Sequence, residues 1–200
     1  KNNTHLILAA YLGLDEYDYL PGTVSATTLM KPIRQQILGS RSTQVNDISR
    51  FTKSRIGTSI HDGVEKVWTT GAYKKSMQSL GYSEETINNI KVNPGYDFIE
   101  GNWEIDPSID RLALFMNEPD MIPVYVEIRT SREIDGYTVT GKFDSVTNGI
   151  VGDIKSTSTW TWINQSKTED YQIQGSIYRW LNPGIITGDE INIHYVFTDW

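Results

Sequence analysis

Asp153 and Lys155 stand two residues apart in the run Ile150-Val-Gly-Asp153-Ile-Lys155, which reads as a β-strand. Side chains two apart leave the same face of a strand, so a carboxylate is set beside an ammonium while Ile154 points to the opposite layer. Asn148-Gly149 is a turn signal between this run and Phe143-Asp144-Ser145-Val146, which predicts a hairpin and brings Asp144 toward the same edge. Two carboxylates and a lysine then surround a space the size of a phosphate group. Hydrolysing a phosphodiester needs a metal to polarise the phosphoryl oxygen, an activated water and stabilisation of developing negative charge. Asp144 and Asp153 can supply the first by holding Mg²⁺, and Lys155 can orient or deprotonate the water and offset charge. A plain cross-strand ion pair is the competing reading, because an Asp-x-Lys triplet alone is weak.

The elements that must position these groups follow from the residue pattern. Val124, Val126 and Ile128 alternate with Tyr125, Glu127 and Arg129, and Tyr137 to Val146 continues in β-branched and aromatic residues, so the hairpin is joined by further paired strands. A last strand runs from Ile191 to Phe197. Tyr171, Gln174, Tyr178 and Leu181 recur at helical spacing over Thr168 to Leu181, closed by Asn182-Pro183-Gly184. A second helix is expected from Ile56 to about Thr69, with Ile60, Val64, Val67 and Trp68 as its buried stripe and His61 and Glu65 four apart on one face. Thr27 to Ser42 predicts another helix, with Lys31, Arg34 and Arg41 on a basic outer face that either touches a phosphate backbone or is simply solvated. Between Gly71 and Pro119 only Ser83-Glu84-Glu85 marks a helix start.

The expected architecture is α/β in one domain over 1–200: a helical part to about 120, then a catalytic sheet and helix. The central mixed sheet, built from about Ile122 to Val151 onward, is flanked by the His61 helix and the Gln174 helix. The abrupt end after the last strand predicts that the parent protein continues past Trp200.

Four stretches occur in order: Gly57-Thr-Ser-Ile-His61-Asp-Gly-Val-Glu65, Gly141-Lys-Phe-Asp144, Gly152-Asp153-Ile-Lys155-Ser-Thr157 and Gln174-Gly-Ser-Ile-Tyr178. Together they closely resemble the motifs of RecB-like PD-(D/E)XK nucleases, over roughly Ile56 to Trp180. The opening Ser25-Ala-Thr-Thr-Leu-Met-Lys-Pro-Ile-Arg also looks like the start of phage and Cas4-like members. The resemblance implies a restriction-endonuclease-like core and an enzyme that cuts DNA with Mg²⁺ or Mn²⁺. By similarity, Asp144, Asp153 and the backbone carbonyl of Ile154 would ligate the metal and Lys155 would be the catalytic lysine. Aspartate at 153 replaces the glutamate of many superfamily members, as it commonly does in the RecB-like branch. His61 would be an additional ligand, and an imidazole favours Mn²⁺; its competing reading is a polar surface or capping group. Gln174, Tyr178, Ser156 and Thr157 would help place the DNA, with Tyr178 also serving packing. Glu65 either joins the site or faces solvent, and Glu127 is an auxiliary candidate that reads first as structural.

Composition narrows the rest. A formal net charge of −7 argues against a sequence-independent DNA coat, yet suits clustered carboxylates that hold cations, provided basic groups are concentrated in a groove. With no cysteine there is neither a disulfide framework nor a thiolate zinc site, so a metal must sit on oxygen or histidine ligands. His5 and His194 lack partners at ligand spacing and read as structural. No apolar run is long enough to cross a bilayer and the start lacks the layout of a secretory signal, which favours the cytoplasm of a bacterium or a phage-infected host. The chain also lacks a Walker loop, a Gly-x-Ser-x-Gly elbow and a zinc-protease helix. Trp160 and Trp162, after the Asp153 strand, offer rings for unpaired bases, with burial as the ordinary role of any one of the six tryptophans.

The functional expectation is an exonuclease of DNA recombination or repair, with DNA and a recombination protein as partners and an oligomeric state that the residues leave open. The alternatives are a structure- or sequence-specific endonuclease of the same superfamily, a catalytically decayed DNA-binding module and, last, an RNA-directed enzyme.

Overall fold

The computed structural model describes residues 6–13, 20–41, 48–99 and 102–199. Helices α1 (Leu6–Gly13), α2 (Ala26–Leu29), α3 (Ile33–Arg41), α4 (Ile48–Thr69), α5 (Tyr73–Ser79) and α6 (Glu84–Asn89) precede α7 (Arg111–Asn117), α8 (Thr159–Ile163) and α9 (Thr168–Leu181). The strands are β1 (Thr23–Ser25), β2 (Ile90–Val92), β3 (Tyr96–Ile99), β4 (Asn102–Ile105), β5 (Ile122–Ile134), β6 (Tyr137–Thr147), β7 (Ile150–Thr157) and β8 (Ile191–Phe197). The fold is α/β, with a mixed central sheet in the order β2-β5-β6-β7-β8 and helices packed against it. The β5–β6 and β6–β7 pairs are antiparallel, whereas β2–β5, β7–β8 and β1–β6 are parallel. His5 and Ser42 lie outside the described residues.

The β6–β7 hairpin forms where expected. Asn148 and Gly149 take φ of +51° and +76°, the pair of left-handed conformations that a two-residue hairpin turn needs, and these are the residue types that tolerate them. Helix α9 spans the expected residues, and Asn182 caps its end with N–H bonds to Arg179 and Tyr178 carbonyls. Ser83 caps α6 by accepting from the Thr86 N–H at 3.1 Å.

Four expectations are corrected. The helix drawn from Thr27 is two helices, because Pro32 has no N–H to donate and its ring disfavours helical backbone at the preceding residue. The His61 helix begins at Ile48 and not Ile56, which adds two turns at its start. Of its expected buried stripe, Ile60, Val64 and Trp68 are half-buried, with Trp68 packed against Tyr73 and the strands, whereas Val67 is exposed. The N-terminal part is not purely helical: β1 and β2 join the central sheet, and β3 and β4 form a separate antiparallel pair.

Strand β5 does not alternate throughout. Val124 and Val126 pack with Trp68, Tyr73 and Ile90, whereas Ile128, two residues on, lies with Phe143 and Tyr178 in the other core cluster. The change of face falls at Glu127, whose φ of +52° turns the backbone out of the extended conformation.

One edge of β6 is shared between two strands. β1 pairs with Thr138–Thr140 and β7 with Ser145–Thr147, so the residues between, Gly141 to Asp144, have no ladder partner on that edge. α4 and α9 close over this gap. Gly141 admits α9: a Cβ there would lie 2.7 Å from Leu181 Cδ1 and 3.2 Å from the Tyr178 ring. Gly57 does the same on α4, where a Cβ would meet Ser156 Oγ at 2.8 Å.

Candidate metal centre

Three strands deliver acids to this gap, and one helix delivers an imidazole. The register that pairs Ser145 with Gly152 sets Asp144 opposite Asp153, and the register that pairs Val126 with Ser145 sets Glu127 beside Asp144 on the other side. Asp144 is anchored by the backbone N–H of Ile154, which donates to its Oδ2 at 2.6 Å. Its Oδ1 lies 3.4 Å from Nδ1 of His61, and the same nitrogen lies 3.6 Å from Oε1 of Glu127. One ligand atom from each of His61, Glu127 and Asp144 falls within 4.8 Å of the others.

Asp153 stands one strand further on, buried, with Oδ2 2.7 Å from Lys155 Nζ. That approach is short but poorly directed, and Oδ2 has no aligned hydrogen bond. The ammonium also lies 5.5 Å from the centre of the Tyr171 ring, so α9 steadies it from the other side. Glu127 is held by Lys142 at 2.9 Å as well as by His61.

Electrostatics follow from crowding acids in a half-dry gap. Burial, then the neighbouring Asp153, push the Asp144 carboxyl up to about 6. Asp153 is raised by burial, with Lys155 pulling the other way. Burial also acts against the Glu127 carboxylate, but His61 and Lys142 together hold it below the ordinary glutamate range. The hydrogen bond to Glu127 raises His61, against burial and with help from Asp144. Carboxylates crowded in part against one another, one imidazole, and a buried oxygen without an aligned donor are groups that can ligate a divalent cation, so the residues present are compatible with Mg²⁺ or Mn²⁺.

The anticipated residues are thus distributed as follows. Asp144, His61, Asp153 and Lys155 converge. Glu127, read first as structural, belongs to the tightest group of potential ligands, while Asp153 is engaged by Lys155 at its edge. Glu65 is half-buried four residues after His61 and lines the same cleft as Lys142, with burial raising its carboxyl. Gln174 and Tyr178 bond each other, Nε2 to phenol oxygen at 2.7 Å, and both are buried; Phe143 meets the Tyr178 ring edge-on. Burial holds the Tyr178 phenol far above its ordinary range. Ser156 faces α4 at Gly57, and the Thr157 carbonyl accepts from Thr198, which fastens the end of β8. His194 is exposed on β8. Trp160 and Trp162 are not buried, being 72% and 45% exposed.

The residue pattern gives no role to Lys142, although it sits inside a quoted motif and its signal is the alternation that sends it to the same side as Asp144.

No family model matches the chain, and no curated protein matches it. Among solved structures it is similar to the crystal structure of SSO0001, at 16% identity and a TM-score of 0.48, over 96% of this chain and 69% of that one. Among the described residues no helix is long and apolar enough to cross a membrane.

Proposed function

We propose that the chain is a divalent-metal-dependent nuclease that hydrolyses DNA phosphodiester bonds, built on a restriction-endonuclease-like core and acting on ends in recombination or repair, in the cytoplasm of a bacterium or phage-infected host. The observation that carries this reading is the meeting of Asp144, Asp153, Glu127 and His61 with the Lys155 ammonium beside β6, where its pairing passes from β1 to β7. Asp144, Glu127 and His61, with Asp153 beside them, would hold Mg²⁺ or Mn²⁺. When bound, the ion supplies Lewis-acid polarisation of a phosphoryl oxygen and a more acidic water.

The chain's own residues divide the remaining work. Lys155, fixed between Asp153 and the Tyr171 ring, presents a cation where negative charge grows on the phosphate or where the attacking water must be aimed. The Ile154 N–H fixes one oxygen of Asp144 and so aims the other at the gap. Gln174 and Tyr178, bonded to each other and packed on Phe143, set the distance of α9 from the sheet, which makes them positioning residues.

The test is a Mg²⁺ and Mn²⁺ titration of cleavage of end-labelled linear DNA and closed circular DNA, with Lys155→Ala in parallel. Metal-dependent release of nucleotides from linear DNA alone, nearly abolished in Lys155→Ala, is expected. Cutting of closed circles would make the enzyme an endonuclease, RNA cleavage in preference to DNA would reassign the substrate, and no cleavage with either metal overturns the reading.

A further inference from the structure

We infer that Arg55 is a phosphate anchor: its guanidinium seats a phosphate group of the substrate strand in the cleft that adjoins the acid cluster. The inference rests on the nuclease reading above and adds to it the feature of the strand that is gripped away from the bond being cut.

The cleft measures about 560 Å³ and follows α4 from Arg55 past His61 to Glu65, with Arg129, Gly141 and Lys142 on its sheet side. Its ends differ in charge. Toward Glu65, the Lys142 ammonium is already engaged by Glu127 at 2.9 Å. Toward Arg55, the wall carries the hydroxyls of Ser54 and Thr58, and the acids thin out. Arg55 and His61 are six residues apart on one helix, about 9 Å along its axis, or two to three steps of a stacked strand. Because both residues line this cleft, a strand lying along it with its reacting phosphate at His61 would bring another phosphate toward Arg55.

Arg55 has the marks of a binding group. Its Nε is buried and has no hydrogen-bond partner, and among the described residues no carboxylate pairs with it. The guanidinium lies 4.7 Å from the centre of the Tyr11 ring of α1, and the Tyr11 hydroxyl bonds both Ser59 and the Arg55 carbonyl. A guanidinium laid on an aromatic ring gives up rotamer freedom in advance, and its planar fork of N–H donors matches two oxygens of a phosphate. A guanidinium that only braced α1 on α4 would leave phosphate binding untouched.

The phosphate could be the monoester at a DNA end or a diester within the strand, and one experiment separates these sources. Fluorescently labelled duplexes bearing phosphates or hydroxyls at both ends are titrated with the full chain in EDTA, so that binding is read without cleavage, for wild type, Arg55→Gln and Arg55→Lys. Circular dichroism and a thermal melt check the fold of each variant. Arg55→Gln is expected to weaken binding about tenfold and to lower the slope of log K against log salt by about one. Arg55→Lys is expected to fall between, since an ammonium keeps the charge and loses the fork. A loss confined to phosphorylated ends identifies the terminal monoester, and an equal loss on both duplexes identifies the diester; either supports the anchor.

A folded Arg55→Gln with wild-type affinity and salt slope overturns the inference, and so does Arg55→Lys at wild-type values if the glutamine variant does not fold. Arg55-dependent binding by a chain that never cleaves in Mg²⁺ or Mn²⁺ would sink the nuclease reading alone. Cleavage with unaltered Arg55→Gln binding would sink the anchor alone.

Discussion

The Ile154 N–H donates to Asp144 across the hairpin at 2.6 Å, so the residue between Asp153 and Lys155 on β7 holds the carboxylate on β6. The bond forms where β7 ceases to pair regularly with β6, past Ser145 and Gly152. A carboxylate fixed by a backbone donor on one oxygen keeps the other oriented without help from a cation. Preorganisation of this kind has a cost in the metal-free chain, because Asp144 and Asp153 then face each other partly desolvated.

Asp144→Asn should therefore separate stability from activity. The amide oxygen can still accept from Ile154 while the buried charge is gone, and a carboxyl pushed up to about 6 implies a gain of about 1–3 kcal/mol for the metal-free chain at pH 8. Cleavage is expected to fall by at least about a hundredfold, because the proposed centre would lose a charged ligand. Thermal melts in EDTA and a cleavage assay measure the two effects, and a variant less stable than wild type in EDTA would contradict the assignment of strain to this carboxylate.

The pH dependence of the metal-free chain follows from the same crowding. Asp144 and His61 are both raised, so each holds a proton in the folded chain that it releases on unfolding in the intervening range. The Asp144 contribution is complete below its ordinary 3.8 and lost as pH rises through about 6; that of His61 is complete below 6.5 and lost above it. Glu127, held low, runs the other way: its contribution is present above 4.5 and lost as pH falls. The melting temperature in EDTA should peak near about pH 5 and drop toward pH 8. Mn²⁺ at the proposed centre would displace the same protons and should raise it more at pH 8 than at pH 5. A melting temperature in EDTA that climbs steadily from pH 5 to 8 would refute the sign.

Much of this was legible in the chain because local chemistry and tertiary need coincide. Asn148-Gly149 suits two left-handed residues, Asn182-Pro183-Gly184 ends a helix, and Ile191 to Phe197 alternates cleanly at half-buried positions, so these elements lie where expected. β1 and β2 are three residues each and pair in parallel with distant strands, too short for a period of two to register. The kink at Glu127 was invisible for another reason. Glutamate has no preference for positive φ, and no local signal announces a conformation whose side chain ends between His61 and Lys142. At that kink an apparent strand residue comes within reach of His61 and Asp144.

Glu127→Gln tests that membership. The substitution keeps length and backbone while removing the charge that raises His61 and pairs with Lys142. Mn²⁺ affinity by calorimetry should fall about 10- to 100-fold, the range for removing a ligand or a group that orients one. Unchanged affinity would return Glu127 to a purely structural role.

The Gln174–Tyr178 bond can be separated from function by a double-mutant cycle. Tyr178→Phe leaves the buried Gln174 amide without its 2.7 Å partner, a loss of about 1–3 kcal/mol. Gln174→Met in the same chain removes the stranded amide, so the double variant should recover most of that loss and show a coupling energy of about 1 kcal/mol or more. Denaturant unfolding measures each corner. If the pair serves to hold α9 against Phe143 and Gly141, cleavage by the double variant should return to within a few fold of wild type together with its stability. A double variant as stable as wild type yet at least about a hundredfold slower would instead give the phenol or the amide a direct contact with substrate, since packing alone would by then have been restored.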